Sequence, residues 1–291
     1  MNRIAICFSA QVRTAVYTID SIKKFIGPLW DRCDFFCHTW SKDTDKLFGH
    51  NIVLHEKKIP VDQETIDKLQ SVYRFKKFKM EDYEKVADEK NHQPLFYSWI
   101  ESLKLKQQYE QENNFKYSLV VKLRLDNIYS DKISLQGLLD QVEPDSLVVN
   151  SVMANGSVDD FIFISDGNTS DKMIDWYDPW LESTTSYFAH LEIPDCLKQH
   201  NIKLIDLHID TNLPIGIGTD LGILRRIAVN FDPVQEYGKC VETDKILYWD
   251  GPKTLEDVYY LSEDDLLDLA RRVKAKYNVL PNVLALLKDK I

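Results

Sequence analysis

No stretch of this sequence reaches the ~18 apolar residues that a membrane-spanning helix needs. Residues 1 to 10 run straight into a strand-like pattern where a signal peptide would stand, so a cytoplasmic location is expected. Positive charge is also in deficit. The chain has 36 Lys and Arg against 46 Asp and Glu, a net charge of -10, which excludes broad binding to a phosphate backbone and leaves small nucleotides as the nucleotide partners to consider. The five cysteines, Cys7, Cys33, Cys37, Cys196 and Cys240, include no CxxC pair, so neither a disulfide scaffold nor a zinc knuckle is suggested and buried reduced thiols are expected. Neither GxGxxG nor GxxxxGK[ST] occurs, which removes the usual dinucleotide fingerprint and the P-loop. Internal repeats and low-complexity tracts are missing as well.

What is present describes a folded α/β protein. Hydrophobic residues make up 44% of the chain and charged residues 28%, too apolar a balance for disorder. At 291 residues it can form one large domain or one domain with a helical appendage, and the pattern favours the second, with a boundary near residue 243. Arg3 to Phe8 reads as a strand, followed by a polar loop and a helix from Thr14 to Phe25. Asp34 to Trp40 and Asn51 to Leu54 read as the next two strands of a parallel sheet. Val61 to Asp88, including the basic run from Arg74 to Lys79, reads as a surface helix with loops. A long amphipathic helix is predicted over Gln93 to Asn113.

Further strands are predicted at Tyr117 to Asp126, Ser146 to Val149, Asp160 to Ile164 and Ile202 to Ile209. Helices are predicted at Thr169 to Leu181 and Leu191 to Gln199, and helical segments at Leu255 to Tyr277 and Pro281 to Leu287.

Two loops carry the chemistry. Ligands of open parallel sheets bind at the carboxyl ends of strands, which is where Ser9 to Thr14 falls. The hydroxyls of Ser9 and Thr14, the Gln11 amide and the Arg13 guanidinium can hydrogen-bond a base, a ribose or a diphosphate; a helix cap at Ser9 with exposed Gln and Arg is the plainer alternative. In the strand ending at residue 126, alternation puts Lys122, Arg124 and Asp126 on one face and Val121, Leu123 and Leu125 on the other. Asp126, followed by Asn127, can hold Mg²⁺ or Mn²⁺ on a diphosphate. A solvated strand face with an ordinary ion pair explains the same pattern.

The order FSAQVRT, CHTW, LFYSWIESLKLKQQYE, YSLVVKLRLDN resembles that of bacterial and phage GT-A glycosyltransferases related to lipopolysaccharide and capsule biosynthesis, over residues 3 to 210. The resemblance implies a GT-A-like, Rossmann-like fold: a central, mostly parallel sheet flanked by helices, with a C-terminal helical extension over 244 to 291. It implies nucleotide contacts from Ser9, Gln11, Arg13 and Thr14, and a diphosphate role for Arg124, Asp126 and Asn127. Arg124 stands where an Asp-x-Asp motif has its first Asp, and can itself neutralise part of the diphosphate.

By the same resemblance Asp160, preferred over its neighbour Asp159, lines the sugar or acceptor pocket, and Glu192 leads a helix near the acceptor, either one a candidate base. Asp195 shares the ambiguity of Glu192. His208, with Asp210, is a candidate to complete a metal site with Asp126. A glycine-containing loop, Pro214 to Gly222, followed by Arg225 and Arg226, suits closure over a donor. The expected activity is transfer of a sugar from a nucleotide-diphosphate donor, a UDP-sugar first, to a glycan or lipid-linked acceptor. The rival is a non-catalytic nucleotide- or sugar-binding protein, with a nucleotidyltransferase third.

Overall fold

The computed structural model describes residues 3–9, 11–12, 15–49, 52–82, 94–127, 129, 133–153, 156–183 and 189–209. Their backbone falls into two units, residues 3–42 with 61–209 in one and 43–60 in the other. Except for Lys42, the smaller unit contains β3 (Lys42–Gly49) and β4 (Ile52–Pro60), paired as a two-stranded sheet.

The larger unit is built on seven strands: β1 (Ile4–Ser9), β2 (Cys33–Trp40), β5 (Lys77–Glu81), β6 (Leu119–Leu123), β7 (Ser146–Val149), β8 (Ile162–Asp166) and β9 (Lys203–Asp206). Their order is β5-β2-β1-β6-β8-β7-β9. β1 pairs in parallel with both β2 and β6, and β5 and β9 are parallel to their neighbours. Only β8 runs the other way, antiparallel to β6 and to β7. The expected α/β class, a mostly parallel sheet flanked by helices, is the one the chain adopts. Its helices are α1 (Ala15–Ile26), α2 (Gln63–Tyr73), α3 (Pro94–Asn113), α4 (Leu135–Leu139), α5 (Gly167–Ser183) and α6 (Ala189–Gln199), with a 3-10 turn at Gly27–Arg32.

Alternation along the strands separates two cores. Ile4, Ile6 and Phe8 of β1, with Val121 and Leu123 of β6, pack with Ile19, Ile22 and Phe25 of α1 and Leu69 of α2. Ala5 and Cys7, with Phe36, Val120 and Phe163, pack on the opposite face against Trp99 and Leu103 of α3, Met173 of α5 and Ile193 of α6. Each fully buried large apolar side chain contributes roughly 1.5–3 kcal/mol, while an exposed ion pair contributes about 0–1. Burial therefore decides the layering. The four described cysteines are free and buried, and desolvation pushes the Cys7 and Cys33 thiols up to about 12, so they stay protonated.

Two sequence expectations are corrected. The strand expected at Asn51 to Leu54 does not enter the main sheet; the polar stretch before it is β3, and the two pair with each other. The third strand on that side of the main sheet is instead β5, from the basic run read as helix and loop. Asp62 caps α2 by accepting from the Thr65 amide at 2.6 Å, and Arg74 ends it in the left-handed region, φ 49°. The lysines that follow belong to an edge strand and reach acids of α3: Lys77 to Glu112 and Lys79 to Glu101, both at 2.8 Å. The expected boundary at 243, the extension over 244 to 291 and the segment 210 to 226 lie outside the described residues.

The carboxyl end of β2 holds a buried polar network. The fully buried His38 has Nδ1 2.9 Å from Ser98 Oγ and Nε2 2.9 Å from Glu81 Oε2. A neutral ring protonated on Nε2 donates to Glu81, and the single proton of the Ser98 hydroxyl is shared between Nδ1 and the His38 carbonyl, 3.1 Å away. Burial lowers the His38 pKa, against the hydrogen bond and charge of Glu81 and the charge of Glu101, while nearby Lys79 adds to the lowering. Burial alone would raise the Glu81 carboxyl, but hydrogen bonds from Lys79, His38 and Tyr97 outweigh it and leave its pKa lowered.

Two tests follow from this packing. An unfolded His titrates near about 6.5, so the unfolded chain takes up the proton first and stability is expected to fall as pH drops through that value. Melting temperatures between pH 8 and pH 5 check this, and His38→Gln is expected to flatten that part of the profile. At the start of α5, a Cβ on Gly167 would run into the Tyr117 carbonyl, which is backbone and cannot turn aside. Gly167→Ala is expected to cost about 1–3 kcal/mol in urea unfolding.

Candidate functional site

The direction in which the sheet grows reverses between β1 and β6: from β1 the chain steps outward through β2 to β5, and from β6 it proceeds to the other edge. A crevice opens outside the carboxyl ends of adjacent parallel strands at such a point. The loop after β1 and the turn after β6 meet there, because Phe8 is paired with Leu123 and the strands lie about 4.8 Å apart.

Helix α1, which follows the first loop, holds the second in place. The Thr18 hydroxyl donates to the Leu125 carbonyl, the Ser21 hydroxyl donates to the Tyr129 carbonyl at 3.0 Å, and the Tyr129 amide donates back to Ser21 Oγ at 2.7 Å. Phe25 stacks on Tyr129 with ring centroids 4.6 Å apart. Leu125 is buried in the α1-side core with Val121 and Leu123, so the expected alternation holds and Lys122 projects to the opposite face, over the Phe163 ring.

On that face four charges form one group. The Arg124 guanidinium forks onto Asp126, with Nε 2.9 Å from Oδ1 and one terminal nitrogen 3.1 Å from Oδ2; its other terminal nitrogen reaches Asp160 Oδ2 at 3.2 Å. Lys122 Nζ meets the same Asp160 oxygen at 3.2 Å and also donates to the Asp160 carbonyl. With both cations protonated, the two positive and two negative charges of these four described residues cancel. Burial opposes the charge on Arg124, but Asp126 and Asp160 outweigh it and push its pKa up. Burial lowers the pKa of Lys122 against the attraction of Asp160, and Arg124 lowers it further. Burial raises the Asp159 pKa, and the neighbouring Asp160 charge adds to it.

At the same end of the sheet are buried polar atoms with no hydrogen-bond partner among the described residues: Ser9 Oγ, Gln11 Oε1, both polar atoms of the Asn127 amide, and Asp159 Oδ2. The Asn127 amide sits beside the Tyr129 hydroxyl without forming a bond of ordinary geometry to it. Ser9 and Asn127 are fully buried. Folded proteins rarely leave such groups unpaired, since each costs about 1–3 kcal/mol.

The structure thus brings Ser9, Gln11, Arg124, Asp126, Asn127 and Asp160 to one end of the sheet. Arg13, Thr14 and Asp210 lie outside the described residues. Glu192 is in the first turn of α6, and the short turn at 200–202 sends α6 antiparallel to β9, so Glu192 faces the same end of the sheet. Asp195 is exposed on the same helix.

His208 does not join Asp126. Its side chain is 85% exposed with Nδ1 3.1 Å from Asp206, and it follows β9, three strand spacings or about 14 Å from β6. Among the described residues no group of three His, Cys, Asp or Glu is arranged to hold an ion. Hard divalent cations need several oxygen ligands, and here both oxygens of Asp126 are taken by the guanidinium. The described residues do not fit a divalent cation.

Lys122, Thr18 and Ser21 are the members of this site that the sequence left unassigned. Lys122 was legible only as one of three charges on a strand face, and the two hydroxyls only as polar positions three apart on α1.

No protein-family model and no curated protein sequence matches the chain. Among solved structures, the galactosyltransferase LgtC in complex with donor and acceptor sugar analogs is 12% identical, with 72% of this chain and 74% of that one covered and a TM-score of 0.39. The nucleoside-diphosphate-sugar pyrophosphorylase from Vibrio cholerae RC9 is 11% identical, with 70% and 93% covered and a TM-score of 0.38. No described helix is long and apolar enough to cross a membrane.

The charge group makes one energetic prediction. Asp160→Asn removes the counter-charge of Lys122 and one arm of Arg124, and breaking a buried pair costs about 3–5 kcal/mol. Urea unfolding of Asp160→Asn, Lys122→Met and the double variant is expected to show the double variant more stable than the two single losses sum to.

Proposed function

We propose that this chain is a glycosyltransferase that moves a sugar from a nucleotide-diphosphate donor, a UDP-sugar in the first instance, to a hydroxyl of a glycan or lipid-linked glycan. The observation that carries the reading is the set of buried, unpartnered polar atoms on Ser9, Gln11 and Asn127 beside the Arg124 group, at the point where the sheet order reverses. An amide with both its donor and its acceptor unused suits a ligand with a mixed hydrogen-bonding edge, as a base or ribose has. A guanidinium held from behind by carboxylates suits a diphosphate, whose negative charge grows as the sugar leaves.

In this reading the loops after β1 and β6 bind and orient the donor, and catalysis comes chiefly from positioning and from preorganised charge. Asp160 is engaged by both Lys122 and Arg124, which suits an anchor better than a base. Glu192, at the same end of the sheet, is the carboxylate we assign to the acceptor hydroxyl if the anomeric configuration inverts.

The test is a thermal-shift and hydrolysis screen of UDP-, GDP-, CMP- and dTDP-sugars on the wild type and Asn127→Ala. One donor class is expected to raise the melting temperature and to be hydrolysed slowly, and Asn127→Ala to weaken its binding about tenfold. Stabilisation without turnover would move the chain to the non-catalytic binding reading. No response to any donor would overturn the nucleotide-sugar reading.

A further inference from the structure

We propose that the Arg124 guanidinium is the resident cation of this site: Asp126 and Asp160 are its anchors, and the site takes up no divalent ion. The inference rests on the nucleotide-sugar reading for the nature of the ligand, but the arrangement of charge stands by itself.

Of the five N–H donors of a guanidinium, three are used here, Nε and one on each terminal nitrogen. The fork onto Asp126 uses both carboxylate oxygens at 2.9 and 3.1 Å, the geometry that makes Arg–carboxylate pairs strong and directional. An incoming divalent ion has to displace this fork and then sit beside two fixed positive charges, Arg124 and Lys122, the second lying 3.2 Å from the other carboxylate it would need.

The turn is also braced from the far side. Thr18 and Ser21 of α1 fix the backbone at Leu125 and Tyr129, and the Arg124 amide donates to the Tyr129 hydroxyl at 3.3 Å, so the strand end is not free to swing Asp126 outward. Ser9 and Asn127, fully buried and with polar atoms unpartnered among the described residues, lie just past the ends of the same two strands. The three bonds to the anchors leave two guanidinium N–H groups, which in the nucleotide-sugar reading are the ones offered to a diphosphate. A fork-forming cation that cannot be deprotonated or washed out then does the work of charge neutralisation.

The experiment uses the full chain and Mn²⁺, whose bound and free forms differ in electron paramagnetic resonance. Mn²⁺ is titrated into the wild type, Arg124→Asp and Arg124→Gln, and the binding of UDP and GDP is measured by calorimetry in chelator and in Mn²⁺. The wild type is expected to bind no equivalent of Mn²⁺ and to bind its diphosphate with affinities within about twofold in the two buffers. Arg124→Asp, which frees Asp126 and adds a carboxylate, is expected to gain a Mn²⁺ site; Arg124→Gln, which removes only the charge, serves if that variant does not fold. One equivalent of Mn²⁺ on the wild type, or a rise in diphosphate affinity of about tenfold or more with Mn²⁺, would overturn the proposal. Failure of both diphosphates to bind in either buffer counts against the nucleotide reading, while the Mn²⁺ titration still decides the role of Arg124.

Discussion

The fork between Arg124 and Asp126 closes the carboxyl end of β6, and the site is arranged around it. Two residues apart on an extended chain, both side chains fall on one face, yet that face is the one on which β8 presents Asp160 and β6 itself places Lys122. A lone Arg here would be a partly buried cation seeking a partner, and a lone Asp a buried anion. Joined, they make a pair whose charges cancel and which the fold can enclose, with the Arg124 side chain 14% exposed. β8 matters to this because it runs antiparallel: its amino-terminal end, preceded by Asp159 and Asp160, arrives at the end of the sheet where the parallel strands finish.

Stability and readiness to bind are divided between the two sides of the sheet. The face toward α1 is apolar along β1 and β6 and, through Thr18 and Ser21, grips the turn that carries Arg124 and Asp126. The face toward α3, α5 and α6 is apolar at its centre but polar near the strand ends, where His38 with Glu81 lies on one side of β1 and the Arg124 group on the other. Polar groups there are enclosed because they are paired. Among the described residues Ser9 and Asn127 depart from that rule just past the ends of β1 and β6.

Much of this was legible before any coordinates. The strand–loop–helix at the amino terminus, the long helix ending at Asn113, and the alternation that sends Lys122 and Arg124 one way and Val121 and Leu123 the other are local properties, set by a period of two or 3.6 residues. The edge strand β5 was not legible. Its lysines make sense only against Glu101 and Glu112 of a helix more than twenty residues away, so locally they read as a solvated charge run. β3 and β4 were misplaced for a related reason: an apolar stretch states that a strand exists, while its partner is chosen by long-range pairing.

The candidate site divides along the same line. Residue type and position after a strand made Ser9, Gln11, Arg124, Asp126 and Asn127 candidates beside plainer readings, a helix cap and a solvated strand face, and their roles came from the resemblance of FSAQVRT and YSLVVKLRLDN. What those residues do to one another was decided by tertiary structure alone. Sequence spacing states that Arg124 and Asp126 share a face. Only the antiparallel arrival of β8 brings Asp160 onto the same guanidinium, only the helix α1 hydroxyls brace the turn, and only the strand order puts His208 at the far edge of the sheet. A hydrogen bond requires its two atoms within about 3 Å, and between residues dozens of positions apart that condition is met or missed by the packing of whole elements.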